Sequence, residues 1–452
     1  MPARALPGFR DFYPDDITLR SHIFAAWRGV ATRYGFEEYD GPPLEALELY
    51  TEKSGPEIAA QLYEFADKGE RRVALRPEMT PTLARMVAAR ASALKKPIRW
   101  FSLPQLFRYE RQQRGRLREH FQFNLDLIGE PGPLADAEVI AAAVDVMREL
   151  GLGASDVRAR LCDRRVMEAL LEGVGVRGAH VRHAYWAIDR MEKDRRGELA
   201  KELVRLLTEG ATPLAEAEAG AVADRVLALG QLQGLGDLRG ALEQYGVDER
   251  VVEPLEQCVR ALDHMGLGEF VDVDAAVVRG LAYYTGIVFE LFDARGDFRA
   301  ICGGGRYDGL LKALGGTDLP AVGFGMGDVV LGELIRARSL PVPPNRGLDV
   351  FLVAVTSEDL PTVLRLAHEL RNRRARVEFA LRQQSIGKQL SLAAARQARA
   401  AVMVGPEERA AGVVLRRDLG TGVEQRVSER DLLASWGGTS GQAGTPVPRC
   451  PR

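Results

Sequence analysis

The spacing of apolar and polar positions changes period several times along the chain. Residues 16–34 place Ile17, Ile23, Phe24, Trp27 and Val30 near helical spacing, which predicts an amphipathic helix. Residues 35–44 switch to a short strand that ends at two prolines. Helices are expected at 79–94 and 134–150, and strands at 99–108 and 121–129 bracket a basic loop. From about 168 to 265 the aromatics thin out, and Leu, Ala, Glu and Arg follow a helical pattern with glycine breaks. Strand-like alternation returns at 275–292 and 297–302. A glycine-dense turn is expected at 302–308, and a helix at about 327–338. Beyond a Pro- and Gly-rich linker at 341–347, strands at 349–355, 376–381 and 400–404 alternate with helices at 358–373 and 385–397. A hairpin at 412–428 turns at Gly420-Thr-Gly422. That order predicts a small α/β domain with a largely parallel sheet. Residues 437–452, rich in Gly, Ser, Thr and Pro, predict a disordered tail.

Composition narrows the class. At 452 residues, 46% apolar and 27% charged, the chain suits roughly three ordinary globular domains. Cys162, Cys258, Cys302 and Cys450 are scattered without a CxxC pair. This argues against a disulfide framework and a thiolate zinc site, and favours a reducing, cytoplasmic setting. The N-terminal residues contain no apolar core of a secretory signal, and no apolar run is long enough to span a bilayer. A formal charge of −2 leaves any nucleic-acid contact to local basic patches. His180 and His183 lie three apart without a third ligand, which reads as a surface helix rather than a metal site. No GxxxxGK[ST] loop is present, so P-loop nucleotide binding is not expected.

Three segments carry candidate chemistry. In Phe107-Arg-Tyr-Glu-Arg-Gln-Gln-Arg-Gly-Arg-Leu-Arg-Glu-His-Phe-Gln-Phe-Asn-Leu-Asp126, five arginines fall between 108 and 118. Polar Gln122 and Asp126 then recur on one strand face among apolar neighbours. Polar groups on a buried side need partners, which suggests a ligand; a solvated hairpin tip is the bland alternative. In Leu75-Arg-Pro-Glu-Met-Thr80 the residues suit a strand-to-helix junction, with Pro77 near the first turn and Glu78 complementing the dipole. In Arg279-Gly-Leu-Ala-Tyr-Tyr-Thr-Gly-Ile-Val-Phe-Glu290, an always-charged fork and two phenols precede the glycines of Cys302-Gly-Gly-Gly-Arg-Tyr-Asp308. These residue types suit a small ligand bearing a carboxylate or phosphate, although Tyr pairs also serve packing and glycines also make turns.

Together, and in this order, the motifs resemble those of the histidyl-tRNA synthetases, a class II aminoacyl-tRNA synthetase family, from Leu6 to about Trp436. Residues 35–45 resemble motif 1, with Pro42 at the dimer-interface proline, and 107–129 resemble motif 2. Residues 279–290 and 303–309 resemble the two histidine-specific segments, and 321–327 begin like motif 3. The resemblance implies an α+β catalytic domain with an antiparallel sheet flanked by helices, a helical insertion, and a C-terminal α/β anticodon-binding domain. The corresponding division is 1–167 and 266–340 for the catalytic core, 168–265 for the insertion and 346–436 for the anticodon-binding domain. It further implies a homodimer that uses ATP and Mg²⁺ to join L-histidine to tRNA(His).

By resemblance, Arg108 and Arg279 hold the α-phosphate and carboxylate region, and Arg279 is a catalytic arginine. Glu78, Thr80, Gln122 and Asp126 bind the ammonium and imidazole of histidine, with Tyr283 and Tyr284 completing the pocket. Glu110 reads adenine, His120 stands where many members stack a Phe on it, and Gly304 and Gly325 line the ATP site. Arg114 and Arg116 reach the pyrophosphate or the tRNA acceptor end. Two further departures stand out. The family's Glu-Arg-Pro-Gln is Glu110-Arg-Gln-Gln113, and its motif 3 arginine, which grips the γ-phosphate, gives way to Asp328-Val-Val330, with Arg336 two turns on. A second reading is the silent synthetase paralogue that regulates ATP phosphoribosyltransferase in histidine biosynthesis, which typically lacks the anticodon domain. Residues 346–436 carry fifteen Lys or Arg against eleven Asp or Glu, a net of +4 by subtraction, which suits RNA and favours the active enzyme.

Overall fold

The computed structural model describes residues 4–51, 60–110, 115–191, 197–209, 213–278, 284–343 and 347–436. The chain divides into two units, Met1–Val342 and Pro343–Arg452. In the first unit a nine-stranded sheet contains β1 (Glu37–Glu38), β5 (Ile98–Ser102), β6 (Gln105–Phe107), β7 (Glu119–Ile128), β8 (Val157–Asp163), β9 (Val271–Val273), β10 (Ile287–Asp293), β11 (Cys302–Arg306) and β12 (Ala321–Gly327). Their order is β1-β5-β7-β12-β11-β10-β8-β9, with β6 paired to the start of β7. Pairings are antiparallel except at the two edges, where β1 joins β5 and β8 joins β9 in parallel. Beside it β2 (Leu44–Ala46), β4 (Arg72–Leu75) and β3 (Tyr63–Ala66) form a small antiparallel sheet.

Strand β7 shows how one sheet serves both packing and chemistry. Successive side chains point to opposite faces. Phe123, Leu125 and Leu127 are buried on one face, where Trp27 of the Pro14–Arg33 helix stacks on Phe123 at 5.7 Å. The Ala-rich Pro133–Glu149 helix packs on the same side and is buried along almost its whole length. Gln122, Asn124 and Asp126 take the other face. The helices Arg164–Gly173, His180–Ile188, Glu198–Thr208, Glu216–Leu229, Gly234–Gln244 and Glu253–His264 share one continuous core with the sheet. On this chain of helices His180 is buried, not at the surface.

Two expectations about strands need correction. Cys302–Arg306 is not a turn but the strand β11, paired with β10 and β12, and of the expected strand 297–302 residues 297–301 are the connection leading to it. Glycine's poor strand propensity hid this. A Cβ on Gly304 would stand 2.4 Å from the Gly323 carbonyl oxygen, so close packing between strands excludes a side chain there. The alternation expected from 275 becomes a strand only at Ile287, and residues 279–283 lie outside the described residues.

The second unit carries a five-stranded sheet in the order β14-β13-β15-β16-β17, from Val377–Phe379, Val350–Ala354, Ala400–Val404, Val413–Asp418 and Glu424–Ser428. It is mixed rather than largely parallel: β14 and β15 flank β13 in parallel, and the β16–β17 hairpin adds two antiparallel pairings. The Leu360–Asn372 helix packs on one face through Val363, Leu366, Ala367 and Leu370, while Ala393 of the Ile386–Ala395 helix belongs to the other. Among the described residues no helix is long and apolar enough to cross a membrane.

Candidate active site

The polar face of β7 forms the floor of an inner cavity lined by Glu78, Thr80, Arg108, Gln122, Asn124, Asp126, Tyr284 and Tyr307. Its depth depends on β12. A Cβ on Gly323 would lie 2.0 Å from Asp126 Oδ1, and one on Gly325 would lie 2.8 Å from Gln122 Cδ. Bare backbone on one strand thus leaves room for polar side chains of the next. Asp126 is buried, and the Tyr307 hydroxyl donates to its Oδ1 at 2.5 Å. Burial pushes the Asp126 carboxyl up to about 7, with the tyrosine bond opposing the shift. Tyr284 is pushed upward by burial and by nearby carboxylates, so its phenol stays protonated.

A rigid brace positions Glu78. Buried Arg76 donates to Asp40 Oδ1 at 2.8 Å, to the Gly41 carbonyl at 2.7 Å and to the Gln105 carbonyl at 3.0 Å. The Pro77 carbonyl accepts from Arg108 Nε at 2.9 Å. The helix begins at Thr80, and the proline inside its first turn is Pro81, not Pro77. Glu78, one residue before the N-cap Met79, lines the cavity.

An outer cavity adjoins the inner one and shares Arg108, Gln122, Gly303 and Gly325 with it. At about 220 Å³ against about 100 Å³ it is the roomier of the two, which suits the larger of two co-substrates. Glu110, Arg116 and His120 line it. Arg116 Nη1 sits 3.2 Å from Glu110 Oε2 as an ion pair, yet this buried oxygen accepts no well-formed hydrogen bond from the described residues. Burial, with Arg108 and Arg10 nearby, holds the His120 imidazole down to about 3, so it is neutral at physiological pH.

The predicted site residues therefore fall into two groups, with Arg108, Gln122 and Gly325 common to both. Gly304 lines neither cavity; Gly303 lines both. Arg279, Tyr283 and Arg114 lie outside the described residues. Asn124, Tyr307 and Gly323 line the inner cavity without having been singled out. The period of two from Gln122 to Asp126 contains Asn124, whereas the reach of Tyr307 from beyond β11 has no local signal. Asp328 is a tie within the fold. Its carboxylate accepts from the Phe121 N–H at 2.9 Å and from Arg10 Nη1 at 2.9 Å, while Arg10 Nε reaches Glu119 Oε1 at 2.6 Å.

Residues 8–327, well over half of the chain, match the family Histidyl-tRNA synthetase. The chain belongs to that family. Residues 349–435 match the Anticodon binding domain. The Histidine--tRNA ligase of Opitutus terrae is 45% identical over 434 residues, covering 95% of this chain and 97% of that protein. The chloroplastic/mitochondrial Histidine--tRNA ligase of Arabidopsis thaliana is 40% identical over 425 residues, covering 94% and 85%. In fold, the chain is similar to the histidyl-tRNA synthetase from Nostoc sp. PCC 7120, with a TM-score of 0.77 at 24% identity, covering 96% of this chain and 99% of that one. A Bacillus halodurans protein described as ATP phosphoribosyltransferase regulatory subunit/histidyl-tRNA synthetase has a TM-score of 0.70 at 22% identity, covering 90% and 99%. The synthetase fold is thus common to proteins of both descriptions, and the fold by itself does not choose between them.

Proposed function

We propose that the chain is a histidine–tRNA ligase. It joins the carboxylate of L-histidine to the α-phosphate of ATP, breaking the bond to the β-phosphate and releasing pyrophosphate. A ribose hydroxyl at the 3′ end of tRNA(His) then attacks the activated carbonyl and AMP leaves. The observation that carries this reading is the pair of adjoining cavities, an acid-lined inner one and an arginine-bearing outer one, which meet at Arg108 and Gln122.

In this reading histidine lies in the inner cavity. Glu78 and Thr80 receive its ammonium group, and Gln122 and Asp126 receive the imidazole, with Tyr284 and Tyr283 closing the pocket. The Tyr307 bond holds the Asp126 carboxylate in place. A site built to hydrogen-bond a polar ring rejects analogues that leave its groups unpaired. The carboxylate of histidine then points to Arg108, at the junction with the ATP cavity. Arg108 and Arg279 stabilise the charge that builds on the α-phosphate. Glu110 accepts from the adenine amino group through its unbonded oxygen, neutral His120 stacks on the ring, and Arg116 meets the phosphates. Gly303 and Gly325 let backbone approach the nucleotide; Gly304 serves that site indirectly, through strand spacing.

Among the described residues no group of three metal-ligating side chains exists. Mg²⁺ bound together with ATP would neutralise phosphate charge beside Arg108 and Arg116. The domain division is proposed as 1–167 and 266–340 for the catalytic core, 168–265 for an insertion and 346–436 for the anticodon-binding part. A cytoplasmic homodimer completes the proposal. The deciding experiment is ATP–pyrophosphate exchange with and without L-histidine, followed by charging of tRNA(His). Histidine-dependent exchange and charging are expected. A folded, histidine-binding protein without exchange would overturn the reading in favour of the regulatory paralogue.

A further inference from the structure

We propose that Arg299 supplies the positive charge for the β- and γ-phosphates of ATP that the first turn of the Asp328–Ala337 helix does not provide. The inference rests on the adenylate-forming reading of the two cavities. The family's arginine at this turn is absent, and Val329 and Val330 line the outer cavity in its stead. Asp328 is committed to Arg10 and to the Phe121 N–H, so the turn presents an apolar wall where a triphosphate tail must end. Anions taken out of water need cationic partners.

Among the described residues the arginines lining this cavity are Arg108 and Arg116, and His120 is neutral. Arg108 sits at the junction with the histidine cavity, and Arg116 is ion-paired with Glu110. Arg299 is not among the residues that line the outer cavity, but its stem reaches the edge of it beside Val330. It is exposed, on the connection between β10 and β11, next to Ala300, which lines the outer cavity. A Cβ built on Gly115 would meet Val330 Cγ2 at 3.3 Å and Arg299 Cδ at 3.9 Å. The arginine stem therefore arrives from a neighbouring connection at the point where Val330 stands. The length of the stem gives the guanidinium the reach to turn toward that cavity. Arg299 also borders a neighbouring cavity with Glu290 and Asp297, so in the free protein its charge faces carboxylates that the triphosphate competes with.

The same-helix alternative points elsewhere. Arg336 Nη1 lies 4.0 Å from the position of a Cβ on Gly332, beside Leu19 and Ile23, in a different cavity.

The test is ATP–pyrophosphate exchange on the full chain. Arg299→Ala should raise the KM for ATP about ten- to hundredfold, the loss expected for a charge-assisted contact, and leave the KM for histidine unchanged. Val330→Arg in that background should restore ATP use. Binding of a non-hydrolysable histidyl-adenylate analogue, which lacks the β- and γ-phosphates, should not change. An unaltered KM for ATP would overturn the proposal, as would equal weakening of ATP and the analogue, which marks a merely structural role. A rise in KM in Arg336→Ala alone would transfer the role to that residue and also overturn it. Absence of exchange in the unaltered protein would instead bring down the underlying reading, and the inference with it.

Discussion

The central strands of the two sheets solve opposite problems. In the second unit Val350–Ala354 and Ala400–Val404 are apolar and buried at every position, covered by helices on both faces. In the first unit β7 and β12 are just as central, but one face of β7 carries Gln122, Asn124 and Asp126, and β12 offers Gly323 and Gly325 beside them. The first arrangement maximises burial of apolar surface. The second gives up side-chain packing over one face and places a buried acid there instead. The residues that weaken the strand as a strand are the ones that make it a binding floor.

This contrast can be broken most severely at Gly323. A methyl group there collides with Asp126 Oδ1 and lies 2.8 Å from the Leu125 carbonyl oxygen. Gly323→Ala should cut histidine-dependent exchange by about a hundredfold or more, since small misplacements of positioning groups cost that much. Near-normal exchange would show that β12 does not need bare backbone.

Asp126→Asn separates function from stability. Exchange should fall about a hundredfold through a higher KM for histidine. Stability should move the other way at high pH. The folded-state carboxyl is raised to about 7 from its usual 3.8, so the folded chain holds this proton more tightly. Its contribution is full below about pH 4 and is lost as pH rises through 7. The variant should therefore gain more stability at pH 8 than at pH 4, on the order of a few kcal/mol in chemical denaturation. An equal effect at both pH values would remove burial of Asp126 as the cause.

The second unit offers the control. Val402→Ala, at a fully buried position of β15, should cost roughly 1–3 kcal/mol in chemical denaturation and leave exchange intact. The smallest effect is expected at Gly303. A Cβ there meets only the Glu290 side chain, Cγ at 3.7 Å and Oε1 at 3.8 Å, so Gly303→Ala should change stability by less than about 0.5 kcal/mol. A large loss of folding would show that β11 is packed more tightly than its geometry indicates.

What could be read from sequence follows the same division. In the second unit the strands and the two longer helices were legible, because apolar runs alternating with amphipathic helices leave little ambiguity, whereas the short helices Pro406–Ala411 and Glu429–Ala434 and the mixed sheet were not. Motif 2 was legible because polar residues with a period of two contradict their apolar neighbours. The strand β11 was misread because three consecutive glycines signal a turn locally, and only the neighbouring strands reveal why side chains are excluded. Tyr307 was not assigned because its partner Asp126 is 181 residues away. Asp328 looked like a lost function. Its role as a tie between Arg10 and β7 rests on three segments that meet only after folding.

The buried pair Arg306–Asp136 bears on how the chain is made. The Arg306 guanidinium grips the Asp136 carboxylate at 2.5 Å and also donates to the Glu130 and Gly132 carbonyls. The two partners are 170 residues apart, and among the described residues six α-helices are synthesised between them. Until β11 leaves the ribosome, the acid on the Pro133–Glu149 helix lacks this cation, and sealing that helix against the sheet carries the cost of an unpaired buried carboxyl. Synthesis therefore passes through a long stage in which the catalytic sheet is open along β7, waiting for β12, while the intervening helices are already available to fold.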